Sequence, residues 1–130
     1  MSNKKIRIFI IDDDESFLFV LKKHLEQKQI FEIYTFNTGE AGIEQLHLDP
    51  YILILDYNIN RSGGRMNGKE VMETAQKHLQ KLKVIMLSGQ EDGQIVFEMI
   101  KLGIKEYIIK GATALDELDE ILHMYMSEKV

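Results

Sequence analysis

Five short apolar runs recur along the chain with amphipathic segments between them, and no other feature limits the possible folds as much. The runs are Ile6 to Ile11, Glu32 to Phe36, Tyr51 to Leu55, Val84 to Leu87 and Tyr107 to Ile109. Their lengths and β-branched or aromatic content suit strands. The near-continuous apolarity of the first, third and fourth suits strands covered on both faces, as in a parallel sheet. The segments between them carry helix-period faces: Phe17, Leu21 and Leu25; Val71, Ala75 and Leu79; Val96, Met99 and Ile100; Leu115, Leu118, Leu122 and Tyr125. Only Gly39 to Leu48 is weakly patterned. Asn37 with Glu40, Asn67 with Glu70 and Thr113 with Asp116 read as capping residues three positions ahead of an acid, and Gly103 as a helix stop. Repeated β-α units impose right-handed crossovers, so the expected class is α/β: an open doubly wound five-stranded parallel sheet between two helical layers.

At 130 residues with no low-complexity linker, residues 1–130 are expected to form a single domain. Sixteen Lys and Arg against 21 Asp and Glu leave a charge of −5, which provides no footprint for direct nucleic-acid or anionic-membrane binding. The absence of cysteine removes disulfides, thiolate nucleophiles and zinc–cysteine sites. The apolar runs fall far short of the ~20 residues needed to span a bilayer, so a soluble, cytoplasmic protein is expected.

In a doubly wound sheet, ligands bind beyond the carboxyl ends of the strands. The first run is followed by Asp12, Asp13, Asp14 and Glu15, the third by Asp56, the fourth by Ser88 and the fifth by Lys110. Carboxylates, a hydroxyl and an ammonium thus converge on one sheet edge from distant segments. Carboxylates brought together repel by a few kcal/mol per pair at an effective dielectric of about 20, so a cation belongs among them. A site with few protein ligands and room for waters favours Mg2+ over Ca2+. Asp56 is then placed to attack phosphorus, with Lys110 and Ser88 on other phosphoryl oxygens, as in aspartyl phosphate chemistry.

Ile8-Phe9-Ile10-Ile11-Asp12-Asp13, Ile52-Leu53-Ile54-Leu55-Asp56, Val84-Ile85-Met86-Leu87-Ser88-Gly89 and Glu106-Tyr107-Ile108-Ile109-Lys110 together resemble the four signature segments of the receiver domain of two-component response regulators. The resemblance runs in order over essentially the whole chain. It implies a flavodoxin-like strand order, 2-1-3-4-5, and a signalling phosphoacceptor rather than an enzyme. It implies that Asp56 takes a phosphoryl group from a phosphohistidine on a sensor histidine kinase or histidine phosphotransfer protein. It further implies Mg2+ held by Asp13, Asp56 and the backbone carbonyl of Asn58, with Asp12 helping through water, and Ser88 and Lys110 at the phosphoryl group. Ser88 and Tyr107 would then switch together. The signal would pass to an output domain or downstream protein through the last two helices and last strand, with phosphorylation-dependent dimerisation as one outcome.

Two positions depart from the family pattern. The stretch from Tyr57 to Gly68 is longer than usual, with Asn60 at the place of a Pro. It reads either as a surface insertion or as a cover bringing Arg61 or Arg65 over the site. Gly111 stands where the family has a cis-bonded Pro, so a trans bond or an altered path is expected after Lys110. Asp14 and Glu15 read as helix N-terminal acids. His24, His47, His78 and His123 read as solvated helix residues, and the methionines as core or edge fillers. A haloacid-dehalogenase-type phosphohydrolase using Asp12 and Asp14 is a rival, although it leaves Asp56 idle. An unphosphorylated interaction module on the same fold is another. A flavodoxin-like cofactor binder lacks a phosphate loop after the first strand. The chain ends soon after its fifth helical segment, too soon for an output domain, so either stand-alone action or membership of a longer regulator fits.

Overall fold

The computed structural model describes residues 4–59, 63–89 and 93–129. Strands β1 (Ile6–Ile11), β2 (Phe31–Phe36), β3 (Ile52–Leu55), β4 (Lys83–Ser88) and β5 (Glu106–Ile109) form one parallel sheet in the order β2-β1-β3-β4-β5. The helices are α1 (Glu15–Glu26), α2 (Gly39–Glu44), α3 (Gly68–His78), α4 (Gly93–Lys101) and α5 (Ala114–Lys129), with a single 3-10 turn at Leu46–Leu48. This is the expected flavodoxin-like sheet. Strand alternation divides its side chains between two cores. Ile8, Ile10, Ile52, Ile54, Ile85, Leu87 and Ile108 pack against Leu21 and Leu25 of α1 and Leu118 and Leu122 of α5. Phe9, Ile11, Leu53, Leu55, Val84 and Met86 pack against Val71, Met72 and Ala75 of α3 and Met99 of α4. Each side chain removed from water stabilises the fold by about 1.5–3 kcal/mol, so both sheet faces fix the register.

Local signals explain the boundaries. Asn67 and Glu70 form a reciprocal capping box at the start of α3. At the end of α4, Gly103 adopts φ +100, its N–H donates to Ile100 O and that of Ile104 to Met99 O; this paired pattern closes a helix and needs a left-handed residue. Four expectations need correction. The cap of α2 is Thr38, which accepts from the Ala41 N–H, rather than Asn37, and Glu40 points elsewhere. The inward stripe of α4 runs through Ile95 and Met99, one helical turn apart, leaving Ile100 57% exposed. His24 is not simply solvated: its Nε2 lies 2.9 Å from Asp119, tying α1 to α5. At Thr113 the hydroxyl donates to Glu117 rather than engaging Asp116.

The weak pattern over α2 also has a physical cause. A Cβ on Gly39 would lie 2.3 Å from Val71, and one on Gly42 2.5 Å from Ile11, so this short helix docks on α3 and β1 through missing side chains rather than an apolar stripe. Among the described residues, no helix is long and apolar enough to cross a membrane.

Candidate functional site

Strand order reverses between β1 and β3, which are neighbours paired Ile11 to Leu55. Asp12 and Asp56 therefore leave the sheet side by side, the Asp56 N–H donating to Ile11 O at 2.9 Å. One carboxylate oxygen from each of Asp12, Asp13 and Asp56 comes within 4.8 Å of the others. Asp12 and Asp56 are each 3% exposed. Asp12 Oδ1 accepts the Asp14 N–H at 2.9 Å, and Asp56 Oδ1 the Asn58 N–H at 3.3 Å. Lys110, leaving the end of β5, places Nζ 2.7 Å from Asp12 Oδ2 and 3.5 Å from Asp56 Oδ2. Burial, and then the neighbouring Asp12 charge, push the Asp56 carboxyl up to about 6, while Lys110 and the Asn58 N–H oppose the rise and Asp13 adds to it. Three hard oxygen donors around one point fit a divalent cation such as Mg2+.

Of the other predicted residues, Ser88 and Tyr107 lie on β4 and β5, and Asp14 at the start of α1. Ser88 closes β4 fully buried, and its carbonyl accepts the Lys110 N–H at 2.8 Å. Tyr107 pairs with Met86 across β4–β5 and is half-buried on the α3–α4 face. Asp14 is the N-cap of α1, accepting from Phe17 N–H, which is the structural role expected of it. No cis peptide occurs among the described residues, so the bond from Lys110 to Gly111 is trans, and Lys110 still contacts both acids. Phe17 lies on the packing face of α1 expected from its spacing with Leu21 and Leu25, and its ring centroid also lies 4.4 Å from Lys110 Nζ.

The long loop after β3 is anchored at both ends. Ile59 is wholly buried and Met66 packs on the α2–α3 side of the sheet, while the Gly68 N–H donates to Tyr57 O at 3.0 Å and closes the neck. The Arg65 and Met66 N–H groups donate to Glu40 Oε2 at 2.7 and 3.3 Å. The Arg65 N–H is the main cause holding the Glu40 carboxyl below its usual range. Asn60 and Arg61, which bear on the reading of this loop as a cover, lie outside the described residues. Gly68 fits because a Cβ there would meet Tyr57 Cα at 2.7 Å and Asp56 O at 2.9 Å, and backbone cannot yield as a side-chain tip does. Gly68→Ala is expected to destabilise by about 2 kcal/mol, within the range for overpacking. A urea midpoint unchanged from the parent would contradict it.

A doubly wound sheet bearing an acidic cluster and a lysine at its switch point is the ground plan of a receiver-type signalling domain. The chain belongs to the response regulator receiver domain family, whose model matches residues 8–123. It is 28% identical over 127 residues to the response regulator protein VraR of Staphylococcus saprophyticus, covering 96% of this chain and 59% of that protein. It is 28% identical over 116 residues to the transcriptional regulatory protein DegU of Brevibacillus brevis, covering 88% of this chain and 48% of the relative. The chain thus spans about half to three-fifths of the length of these relatives. A CheY-like response regulator receiver domain protein from Methanospirillum hungatei superposes with a TM-score of 0.83 at 24% identity, over 97% of this chain and 98% of that one. The protein is accordingly a receiver domain of two-component response regulators.

Proposed function

We propose that Asp56 accepts a phosphoryl group from a phosphohistidine on a sensor histidine kinase or histidine phosphotransfer protein, and that this cytoplasmic domain then signals through its α4-β5-α5 face. The observation that carries this reading is the meeting of Asp12, Asp13 and Asp56 within 4.8 Å beside a lysine that reaches two of them. Mg2+ would be held by Asp13, Asp56 and the Asn58 carbonyl, with Asp12 through water, and when bound it neutralises phosphoryl charge. The Asp56 carboxylate forms the new O–P bond as the P–N bond to the donor imidazole breaks, and the imidazole takes up a proton. Lys110 turns from the carboxylates to a phosphoryl oxygen, and the Ser88 hydroxyl donates to another. Tyr107, on the α4 side of β5, responds to the movement of Ser88. The output face has apolar surface to present: Phe97 and Ile100 of α4 and Met124 of α5 are exposed. An output domain, a downstream protein or a second copy of the chain would dock there.

The test is incubation with Mg2+ and acetyl phosphate, followed by intact mass and hydroxylamine treatment. One hydroxylamine-labile phosphoryl group is expected on the native chain and none on Asp56→Asn. Asp12-dependent turnover of phosphoesters would instead favour the hydrolase, in which Asp14, the N-cap of α1, would have to serve as acid/base. Failure to form any acyl phosphate would leave an unphosphorylated interaction module.

A further inference from the structure

We propose that Phe17 is a positioning residue for Lys110, holding its ammonium over the acidic cluster through the face of the aromatic ring. The inference rests on the phosphoacceptor reading and adds a residue to it. The Lys110 backbone is held, its N–H donating to Ser88 O at 2.8 Å, but the ammonium stands at the end of a flexible four-carbon stem that needs bracing of its own. On one side the ammonium faces Asp12 at 2.7 Å and Asp56 at 3.5 Å; on the other, the Phe17 ring centroid lies 4.4 Å away. A ring face attracts a cation and keeps water from it, and the attraction grows as water is excluded. The lysine side chain is only 21% exposed.

Phe17 is itself well fixed. It lies in the first turn of α1, its N–H donates to Asp14 Oδ1 at 3.2 Å, and its side chain packs on the α1–α5 core. The same short segment therefore carries two of the clustered acids, the helix cap and the ring that backs the lysine. Because α1 starts just beyond Asp13, ring and Asp12–Asp13 belong to one continuous segment, which holds the ammonium between the ring and those acids, facing Asp56 at the end of β3. An aliphatic side chain would preserve packing but lose the attraction of the ring face, and the lysine would sample positions away from the arriving phosphoryl oxygen.

Phe17→Leu is expected to slow acetyl phosphate-driven modification of Asp56, and to weaken beryllofluoride binding, by roughly three- to tenfold, with Phe17→Tyr staying within about twofold of the native chain. Placed in a Lys110→Ala background, Phe17→Leu should have no further effect, because the residue acts through the lysine. In NMR spectra the Lys110 ε-methylene protons should be shifted upfield by the ring, a shift kept in Phe17→Tyr and abolished in Phe17→Leu. Equal rates for the native chain and Phe17→Leu, or an equal slowing with and without Lys110, would overturn the inference while leaving Asp56 as acceptor. If the native chain takes no phosphoryl group at Asp56, the acceptor reading fails and this inference with it.

Discussion

Asp56→Asn is expected to unfold at a higher temperature than the native chain in divalent-free buffer at pH 7.5. The Asp56 carboxyl is pushed from 3.8 up to about 6, so the folded state favours its proton more than the unfolded chain does. A carboxyl raised in this way contributes stability that is fully present below its unfolded value and is lost as the pH rises through about 6. At pH 7.5 the native chain therefore holds a charge its fold disfavours. Asparagine keeps the size, can still accept the Asn58 N–H, and carries no charge. The expected gain is about 2 kcal/mol, a rise of roughly 6–10 °C for a domain of this size. The advantage should shrink between pH 7 and pH 4, and Mg2+ should narrow it at pH 7.5 by stabilising only the native carboxylate cluster. Calorimetry of both proteins across this pH range decides the matter: a difference that is absent at pH 7.5, or widens towards pH 4, contradicts the assignment of burial and Asp12 as its causes.

Most of the architecture was legible because burial on two faces writes long apolar runs. Ile8 to Ile11 and Ile52 to Leu55 carry no polar alternation, and both are central strands with a helical layer on each side. The Asn67–Glu70 box and the Gly103 stop were legible for a similar reason, since each is a local solution to unsatisfied helix ends. The docking of α2 was not legible, because a helix that packs through Gly39 and Gly42 advertises space instead of side chains. Nor was the cap: Asn37, the stronger N-cap by residue type, instead donates to Glu15, and Glu40 accepts from the Arg65 and Met66 N–H groups, contacts between segments far apart in sequence. The same limit applies to His24 and Asp119.

At the site, the convergence of Asp12, Asp13, Asp56 and Lys110 was readable from their joint placement after successive strands, since a carboxylate ending a buried strand needs partners. Their pairing was not. That Lys110 lies closer to Asp12 than to Asp56, and that Phe17 backs it, depends on where α1 begins relative to β5, which no local pattern records.

Lys110→Ala is expected to be the most destabilising change at the site, at about 3 kcal/mol in divalent-free buffer at pH 7.5. Removing one member of a buried charge pair costs about 3–5 kcal/mol, chiefly because the surviving charge stays buried. Asp12 and Asp56 are nearly inaccessible, whereas the lysine side chain is 21% exposed, which sets the effect at the lower end of that range. Without the ammonium, Asp56 should hold its proton to still higher pH, so the loss should diminish in mildly acid buffer, and Mg2+ should recover part of it at neutral pH. In the Asp56→Asn background only the Asp12 interaction remains to be lost, and the cost should fall by about 1 kcal/mol, the coupling expected of groups in direct contact. Urea unfolding of the four proteins measures this coupling. Equal costs in both backgrounds would mean that the ammonium answers to Asp12 alone; Lys110 would then have no electrostatic hold on the acceptor carboxylate, and the geometry offered above for phosphoryl transfer would lose its positive side.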